Sequence, residues 1–128
     1  MPYLVRLYLS PRGRVGRFSF LAYFAIPFIL LGILVGFFSS RDPRAALATL
    51  IAISAVSLWP SFAMTIKRLH DLSLSGWWVL AWYVVFGGLV LLRVPYLGVI
   101  VQLASLVVMV LLVALPGTNG ANKYGAKP

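Results

Sequence analysis

Four long apolar runs, separated by short polar segments, constrain the fold of this chain of 128 residues more than any other feature. Hydrophobic residues make up 62% of the sequence and charged residues 10%, whereas a soluble domain is about half apolar and about a quarter charged. A soluble domain of this length cannot bury so much apolar surface, so the excess must face lipid or other subunits. The sequence therefore predicts an integral membrane protein.

The runs predict an all-α fold, a polytopic bundle of four transmembrane helices that forms a single membrane domain over residues 1–128. Leu4, Leu7 and Tyr8 fall on one face of a short N-terminal helix, which is expected to lie in the membrane interface. Prolines 27 and 60 are expected to bend the first two spans. The predicted segments are the interfacial helix and basic loop, 1–17, the spans, 18–38, 45–66, 77–92 and 95–115, and the tail, 116–128.

The distribution of charge predicts the topology. The net charge is +9, and four spans put both termini on one side of the membrane, together with the polar segment between the second and third spans. That side carries eight Lys and Arg residues, and the other side carries three: Arg41, Arg44 and Arg93. By the positive-inside rule both termini are cytoplasmic. The basic residues sit at the ends of apolar runs and form no stripe interleaved with aromatics, so the expected partners are the bilayer and its anionic phospholipids, not nucleic acid.

Residues 67–78, which we call the central segment, contain the single histidine and one of the two acidic residues. The predicted topology brings this segment to the same side as the basic loop and the tail. Arginine can fork onto phosphate, and glycine-rich backbone can form anion-binding nests. We therefore predict a polar cluster that binds an anionic lipid headgroup, a small anion or a partner segment, and its candidate residues are Arg14, Arg17, Lys67, Arg68, His70, Asp71, Asn122, Lys123 and Tyr124.

Structural roles for the same residues stay open at this stage. The cations can serve only to orient the protein in the membrane. Asp71 can be a salt-bridge partner of Arg14, Arg17 or Arg68 that ties the loop to the central segment, or it can cap a helix that starts near Leu72.

Groups for catalysis are few. The two acids, Asp42 and Asp71, are predicted on opposite sides of the membrane, and His70 with Asp71 is too small a set of ligands for a metal ion. The side chains of His70 and Asp71 diverge because they are consecutive, which argues against a triad with Ser73 or Ser75. We predict no catalytic residue, metal or cofactor and a non-catalytic function. An enzyme acting on lipid headgroups, with His70 as general base, is the third alternative.

Small residues in the spans predict close helix packing. Gly32 and Gly36 form a Gly-xxx-Gly pattern, and Ala48 and Ala52 follow one face of the second span. Gln102 is expected to face protein because an amide in lipid is costly. Packing within one bundle is the favoured interpretation. Self-association into a homo-oligomer, as a small transporter or channel subunit, is the second functional alternative.

Three motifs together resemble the bacterial inner-membrane family known as domain of unknown function 805. They are the entry Gly13–Arg17 (GRVGR), the central Lys67–Asp71 (KRLHD) with Ser75–Trp78 (SGWW), and the exit formed by Pro116–Gly117 and Asn122–Gly125 (NKYG). The resemblance covers nearly the whole chain and implies a compact helical protein of the bacterial cytoplasmic membrane, with no implied reaction. Two positions depart from the family pattern: Lys67 replaces an arginine, and the final Ala-Lys-Pro replaces a Gly-Pro-acidic-Pro ending, which puts in doubt any role that needs two adjacent guanidiniums.

Overall fold

The protein is all-α, as predicted. The structure, a computed structural model, describes residues 3–39, 42–92 and 96–128, and in this part of the chain the regular elements are helices and no strand is present. Arg41, Arg93 and the predicted start of the fourth span at Pro95 lie outside the described residues. The helices are α1 (Tyr3–Leu9), α2 (Arg17–Phe20), α3 (Ile26–Ser39), α4 (Pro43–Asp71), α5 (Trp77–Leu91) and α6 (Leu97–Ala114).

Three segments are long and apolar enough to cross a membrane: Arg17–Phe37, Leu47–Asp71 and Leu97–Ala114. Helix α5 is equally apolar but has only 15 residues. Large apolar side chains on these helices point outward, with Val56 80% and Leu91 81% exposed. Such a surface is costly in water and normal in lipid. The helices thus have the length and composition of a membrane protein.

A π-helical turn, Leu21–Ala25, joins α2 to α3 and makes one continuous apolar helix of them. Pro27 has no N–H group, so the carbonyl of Tyr23 lacks its usual α-helical donor. The hydroxyl of Tyr8 donates to that carbonyl at 2.7 Å. Burial, followed by the nearby Tyr23 and Tyr3, raises the pKa of Tyr8. The irregular turn therefore fixes α1 against the first span.

Helix α4 is longer than predicted, because it continues beyond Ile66 to Asp71. It begins at an N-cap, Asp42, whose carboxylate accepts hydrogen bonds from two backbone N–H groups of the first turn. It ends in a Schellman arrangement in which the N–H of Leu74 donates to the carbonyl of Leu69 at 2.8 Å and Ser73 has φ of 61°. The prediction that Asp71 caps a helix starting near Leu72 is therefore wrong.

The loop before α2, the C-terminal end of α4 and the C-terminal end of α6 meet at one end of the molecule, which we call the cluster end. The N–H of Val15 donates to the carbonyl of Lys67 at 3.3 Å, and Arg68 Nε donates to the carbonyl of Leu112 at 2.7 Å. Helix α5 starts next to the end of α4, so it leads away from the cluster end and α6 returns to it. The main buried apolar core lies here: Leu7, Val15, Phe20, Met64, Ile66, Leu69, Val79 and Leu112.

The residues predicted to pack the helices together lie elsewhere. Among the residues that the structure describes, a β-carbon added at Gly32 or Gly36 would meet no side chain and no backbone from outside its own helix within 4 Å, and Ala48, Ala52 and Gln102 are exposed. The expectation that they pack within one bundle is wrong for this chain. Small side chains permit a close approach but supply no partner, and the burial that holds these helices together is concentrated at the cluster end.

Candidate functional site

A single carboxylate, that of Asp71, lies between two guanidinium groups at the cluster end. Arg14 donates to Asp71 Oδ1 from Nη2 at 2.8 Å and from Nε at 3.0 Å, and Arg68 Nη1 donates to Asp71 Oδ2. The three side chains are nearly or completely buried, with 1% of Arg14, 0% of Arg68 and 4% of Asp71 exposed. These residues with Thr118 form what we call the Asp71 cluster. Of the predicted partners for Asp71, Arg14 and Arg68 are confirmed.

Two buried cations share one anion here, so carbonyl oxygens supply the remaining negative potential around Arg68. Its Nε and Nη2 groups donate to the carbonyls of Leu112 and Leu115, at 2.7 and 2.5 Å, and Nη1 donates to that of Val15 at 3.3 Å. The carbonyls at the C-terminus of a helix have no helical donor and carry the negative end of its dipole. Arg68 therefore completes the end of α6.

The tail supplies the same kind of acceptor to Arg14. Its Nη1 group donates to the carbonyls of Gly120 and Gly125, at 2.6 and 3.3 Å, and Nη2 donates to the carbonyl of Thr118 at 2.8 Å. With the two bonds to Asp71, each nitrogen of this guanidinium has a protein acceptor. The prediction of Arg14 and Arg68 as contacts for a free anion is corrected by this geometry, because both are occupied by the chain itself.

The tail also closes the C-terminal end of α4. The N–H and hydroxyl of Thr118 donate to the carbonyl of Asp71, at 2.8 and 3.0 Å. The Asn122 side-chain amide donates to the carbonyl of His70 and to the Thr118 hydroxyl, both at 2.9 Å. Gly117 is required by this approach, because a β-carbon there would overlap the carboxylate of Asp71. The bonds satisfy carbonyls that the helix leaves without donors.

His70 is held by the loop and the tail, not by its acidic neighbour. Its Nδ1 lies 3.2 Å from the carbonyl of Gly13, and its ring stacks on Tyr124 with 3.8 Å between centroids. The N–H of Tyr124 is fixed by Asn122 Oδ1 at 2.9 Å. Since Arg14 and Arg68 take the carboxylate oxygens of Asp71, this carboxylate does not orient the imidazole.

Lys67 has a separate partner. Its buried ammonium donates to the carbonyls of Arg6 and Leu7, at 2.5 and 2.8 Å, which belong to the last turn of α1. A cation at this position satisfies two of the carbonyls that α1 leaves open and matches its dipole. Lys67 thus fastens the N-terminal helix to α4 and, like Arg14 and Arg68, faces the protein interior.

Comparison with known proteins identifies the family. A model of the family described as "Protein of unknown function (DUF805)" matches residues 8–126, which include all the segments that meet at the cluster end. The chain belongs to the DUF805 family. It is 31% identical over 124 residues to the "Uncharacterized protein YiiR" of Escherichia coli, strains K12 and O157:H7, covering 91% of this chain and 84% of each relative. No solved structure is significantly similar to the chain.

In this DUF805 chain the remaining cations of the cluster end point outward. Arg12, Arg17, Lys123 and Lys127 are exposed. Arg17 lies over the ring of Phe18, and Lys123 over the ring of Tyr124, at 4.9 and 5.0 Å from the ring centroids. Within the part of the chain that the structure describes, both salt bridges involve Asp71, and neither includes these four cations. Among the described residues that were predicted to bind an anion, Arg17 and Lys123 are the exposed ones. Arg12 and Lys127 add two further exposed cations.

Sequence reasoning brought the correct segments together but missed several contributors. Gly117 and Thr118 carry contacts to Asp71 and were not among the candidates, although the Pro-Gly after an apolar run indicates a sharp exit. The acceptors for Arg68 are main-chain carbonyls, which no residue type reveals. Among the described residues no three His, Cys, Asp or Glu side chains come together as a set of metal ligands.

Proposed function

We propose that this protein is a non-catalytic, multi-pass protein of the bacterial inner membrane that binds the headgroups of anionic phospholipids at its cluster end. The observation that carries the proposal is the division of the cations into two sets. Arg14, Lys67 and Arg68 are buried on protein acceptors, whereas Arg12, Arg17, Lys123 and Lys127 are exposed and make no salt bridge in the described part of the chain. The second set is available to lipid phosphate.

The position of these cations supports the proposal. Trp77 and Trp78, 76% and 65% exposed, and Phe18, 72% exposed, surround the same end of the molecule. Exposed aromatic rings beside cations are typical of the interface between hydrocarbon and headgroups. Each Lys or Arg near an anionic surface contributes about 1 kcal/mol of attraction. The cluster end is therefore suited to the headgroup layer.

We propose that α5 is the fourth span and that both termini are cytoplasmic. Its 15 residues give roughly 22 Å of helix, shorter than a hydrocarbon core of about 30 Å. Local thinning of the bilayer and interfacial tryptophans can accommodate such a short span. The direction of α5, away from the cluster end and back through α6, supports this topology. So does the positive-inside rule, given the basic residues at the cluster end.

Lipid retention measured by native mass spectrometry tests the proposal. The full chain, released from nanodiscs of mixed phosphatidylglycerol and phosphatidylcholine, is expected to retain phosphatidylglycerol in excess of its share. A triple variant with Arg12→Gln, Arg17→Gln and Lys123→Gln should lose that preference, by about fivefold for each charge removed. The matched control is Arg44→Gln, an exposed cation at the opposite end of α4.

The outcomes separate clearly. A preference that falls in the triple variant and persists in Arg44→Gln supports headgroup binding at the cluster end. Equal retention of both lipids by the wild-type chain would overturn the proposal, and so would an unchanged preference in the triple variant. Raising the salt concentration should weaken the preference, because the exposed charges are screened.

The exposed small residues favour a second candidate function, a homo-oligomeric transporter or channel subunit. Gly32, Gly36, Ala48 and Ala52 are exposed in the described part of the chain, although their spacing is that of close helix interfaces. Exposure of Gln102 would be relieved by a neighbouring subunit. The same mass spectra report subunit number, and solute flux in vesicles that is lost in Gln102→Leu would favour this candidate over headgroup binding alone.

A further inference from the structure

A cleft runs through the helices directly beside the Asp71 cluster. Its volume is about 530 Å³, which is within the range of small-molecule sites, and it is partly open to the surroundings. Along α4 it extends from Ser54 to Leu69, which corresponds to roughly 22 Å of helix. At the end nearest the cluster its lining includes the buried Phe20 and Leu112, and the carbonyl of Leu112 is held by Arg68. The cleft and the cluster are therefore parts of one arrangement.

Hydrocarbon lines most of the cleft. One wall is a row of three rings, Phe20, Phe24 and Phe28, with 5.0 and 5.6 Å between successive centroids. The facing helices contribute Trp82 and Leu112, among other apolar side chains. Flat rings and branched alkyl groups attract by dispersion and offer no directional contact. Such a lining suits a flexible apolar chain.

The hydroxyl groups in the lining do not change this chemistry. Thr65 donates to the carbonyl of Ser61 at 2.8 Å, and Ser105 donates to the carbonyl of Val101 at 2.8 Å. Ser57 donates to the carbonyl of Ser54 at 3.5 Å. Three of the six hydroxyl groups that line the cleft are thus used within the helices themselves, and eleven of its seventeen lining side chains are apolar or indole rings. This lining argues for hydrocarbon and against a polar solute.

Charge at the end of the cleft selects the type of amphiphile. Arg17 is exposed and lies about one helical turn before Phe20, which lines the cleft at the end nearest the cluster. It belongs to the set of cations that make no salt bridge within the described residues. A phosphate beside Arg17 would leave the attached hydrocarbon at the level of the cleft. An anionic phospholipid from the surrounding bilayer has both parts in this order.

We propose that the cleft binds one acyl chain of an anionic phospholipid whose phosphate lies at Arg17. This inference rests on the proposed function, because it assigns the hydrocarbon part of the same lipid. It adds a defined intramembrane site to what would otherwise be attraction at the surface. The lipid enters from the surrounding bilayer through the open part of the cleft.

Quenching of tryptophan fluorescence by brominated phosphatidylglycerol tests the site. A variant that keeps Trp82 alone, with Trp59, Trp77 and Trp78 changed to Phe, is reconstituted in phosphatidylcholine vesicles that contain a minor fraction of the brominated lipid. Because Trp82 lines the cleft, a bound brominated chain should quench it more than the average composition of the bilayer predicts. Brominated phosphatidylcholine at the same fraction should give no such excess.

Two filling variants in this background, from opposite walls, are Ser57→Phe and Ser105→Phe, and Val56→Phe is the exposed control beside Ser57. The excess quenching should be lost in the two filling variants and kept in the control. Excess quenching that persists in both filling variants overturns the cleft site, and so does its loss in the control. A filling variant that converts an oligomer to a monomer also overturns the site, because it would identify a second copy of the chain as the occupant.

The quenching experiment and the lipid-retention experiment together also distinguish this inference from the proposed function. Excess quenching by both brominated lipids, abolished by the filling variants, would retain an acyl site but overturn the selection for an anionic headgroup. If lipid retention by mass spectrometry still favours phosphatidylglycerol while Trp82 shows no excess quenching, headgroup binding stands and the acyl site is overturned.

Discussion

Arg14 and Asp71, which are 57 residues apart in the sequence, form a buried ion pair with 2.8 Å between Nη2 and Oδ1. The same carboxylate binds Arg68, and the carbonyls of the tail and of α6 surround both guanidiniums. An isolated charge at this depth would be costly, so each member requires the others. The cluster thus joins three segments that lie at the beginning, the middle and the end of the chain.

Replacing Asp71 with Asn should destabilise the fold strongly. Two buried guanidiniums would lose their shared anion, and the loss of one partner from a buried pair costs about 3–5 kcal/mol. The free energy of unfolding in detergent reports the effect. Asp42→Asn is the matched control, because asparagine is an equally good N-cap, and it should change stability by less than about 0.5 kcal/mol. Equal effects at the two positions would contradict the role of Asp71 as the shared anion of two buried guanidiniums.

Gly117→Ala should release the tail from α4. The added β-carbon would overlap the Asp71 carboxylate, and overpacking of this kind costs about 1–3 kcal/mol. Faster hydrogen exchange over residues 118–125 would show the release. Gly87→Ala provides the contrast, since its added carbon meets no described residue from outside its own helix backbone within 4 Å, and a helical alanine is about 1 kcal/mol better than glycine. A tail that exchanges at the wild-type rate in Gly117→Ala would refute this geometry.

Lys67→Met should loosen α1. Its ammonium holds the carbonyls of Arg6 and Leu7, and hydrogen bonds to a charged group contribute about 1.5–3 kcal/mol. We expect faster exchange of the α1 amides and faster tryptic cleavage after Arg12. Arg6→Met leaves the carbonyl of that residue in place and is expected to keep α1 protected. Protection of α1 in both variants would argue that Lys67 is not its anchor.

Tyr8→Phe should destabilise the junction between α1 and the π-helical turn by about 1–3 kcal/mol, since it leaves the carbonyl of Tyr23 without the hydroxyl donor. Thermal unfolding in detergent provides the measurement. Tyr23→Phe removes a hydroxyl but keeps the accepting carbonyl, so it should have a smaller effect. A larger destabilisation by Tyr23→Phe than by Tyr8→Phe would be inconsistent with a hydrogen bond from the Tyr8 hydroxyl to the carbonyl of Tyr23.

Labelling with a membrane-impermeant maleimide should show the cluster end in one compartment. The chain has no cysteine, so single substitutions at Arg12, Leu74 and Lys123 report their own positions, all of them exposed. We expect these three to label from the cytoplasmic side and Arg44→Cys from the opposite side. Labelling of Leu74→Cys and Lys123→Cys from different sides would contradict the proposed topology.

Much of this arrangement was predictable, and the reasons for the failures are physical. The apolar runs predicted the helices to within a few residues, except at the C-terminal end of α4, which continues to Asp71. There the charged side chains of Lys67 and Arg68 donate to carbonyls inside the protein, so the helix does not have to end before them. The meeting of the loop, the central segment and the tail followed from the even number of predicted spans. Whether Arg14 faces a ligand or the chain itself depends on backbone carbonyls, such as that of Gly120, and side-chain patterns do not encode these.

The helix-packing prediction failed for a related reason. The spacing of Gly32 and Gly36 states only that another helix can come close at that face. Which helix does so depends on where the chain folds back, and here burial is concentrated around Phe20, Met64 and Leu112 at the cluster end. A pattern within one helix therefore predicted a surface but not its partner.

A double-mutant cycle between Arg14→Met and Asp71→Asn tests the central claim most directly, namely that a buried cluster at one end of the molecule holds the three segments together. Unfolding free energies in detergent should show a favourable coupling of about 0.5–3 kcal/mol, as expected for residues in one ion-pair network. The control cycle pairs Asp71→Asn with Arg17→Met, an exposed cation with no salt bridge to Asp71. We predict clear coupling for Arg14 and near-additivity for Arg17, and additive effects of Arg14 and Asp71 would contradict the account.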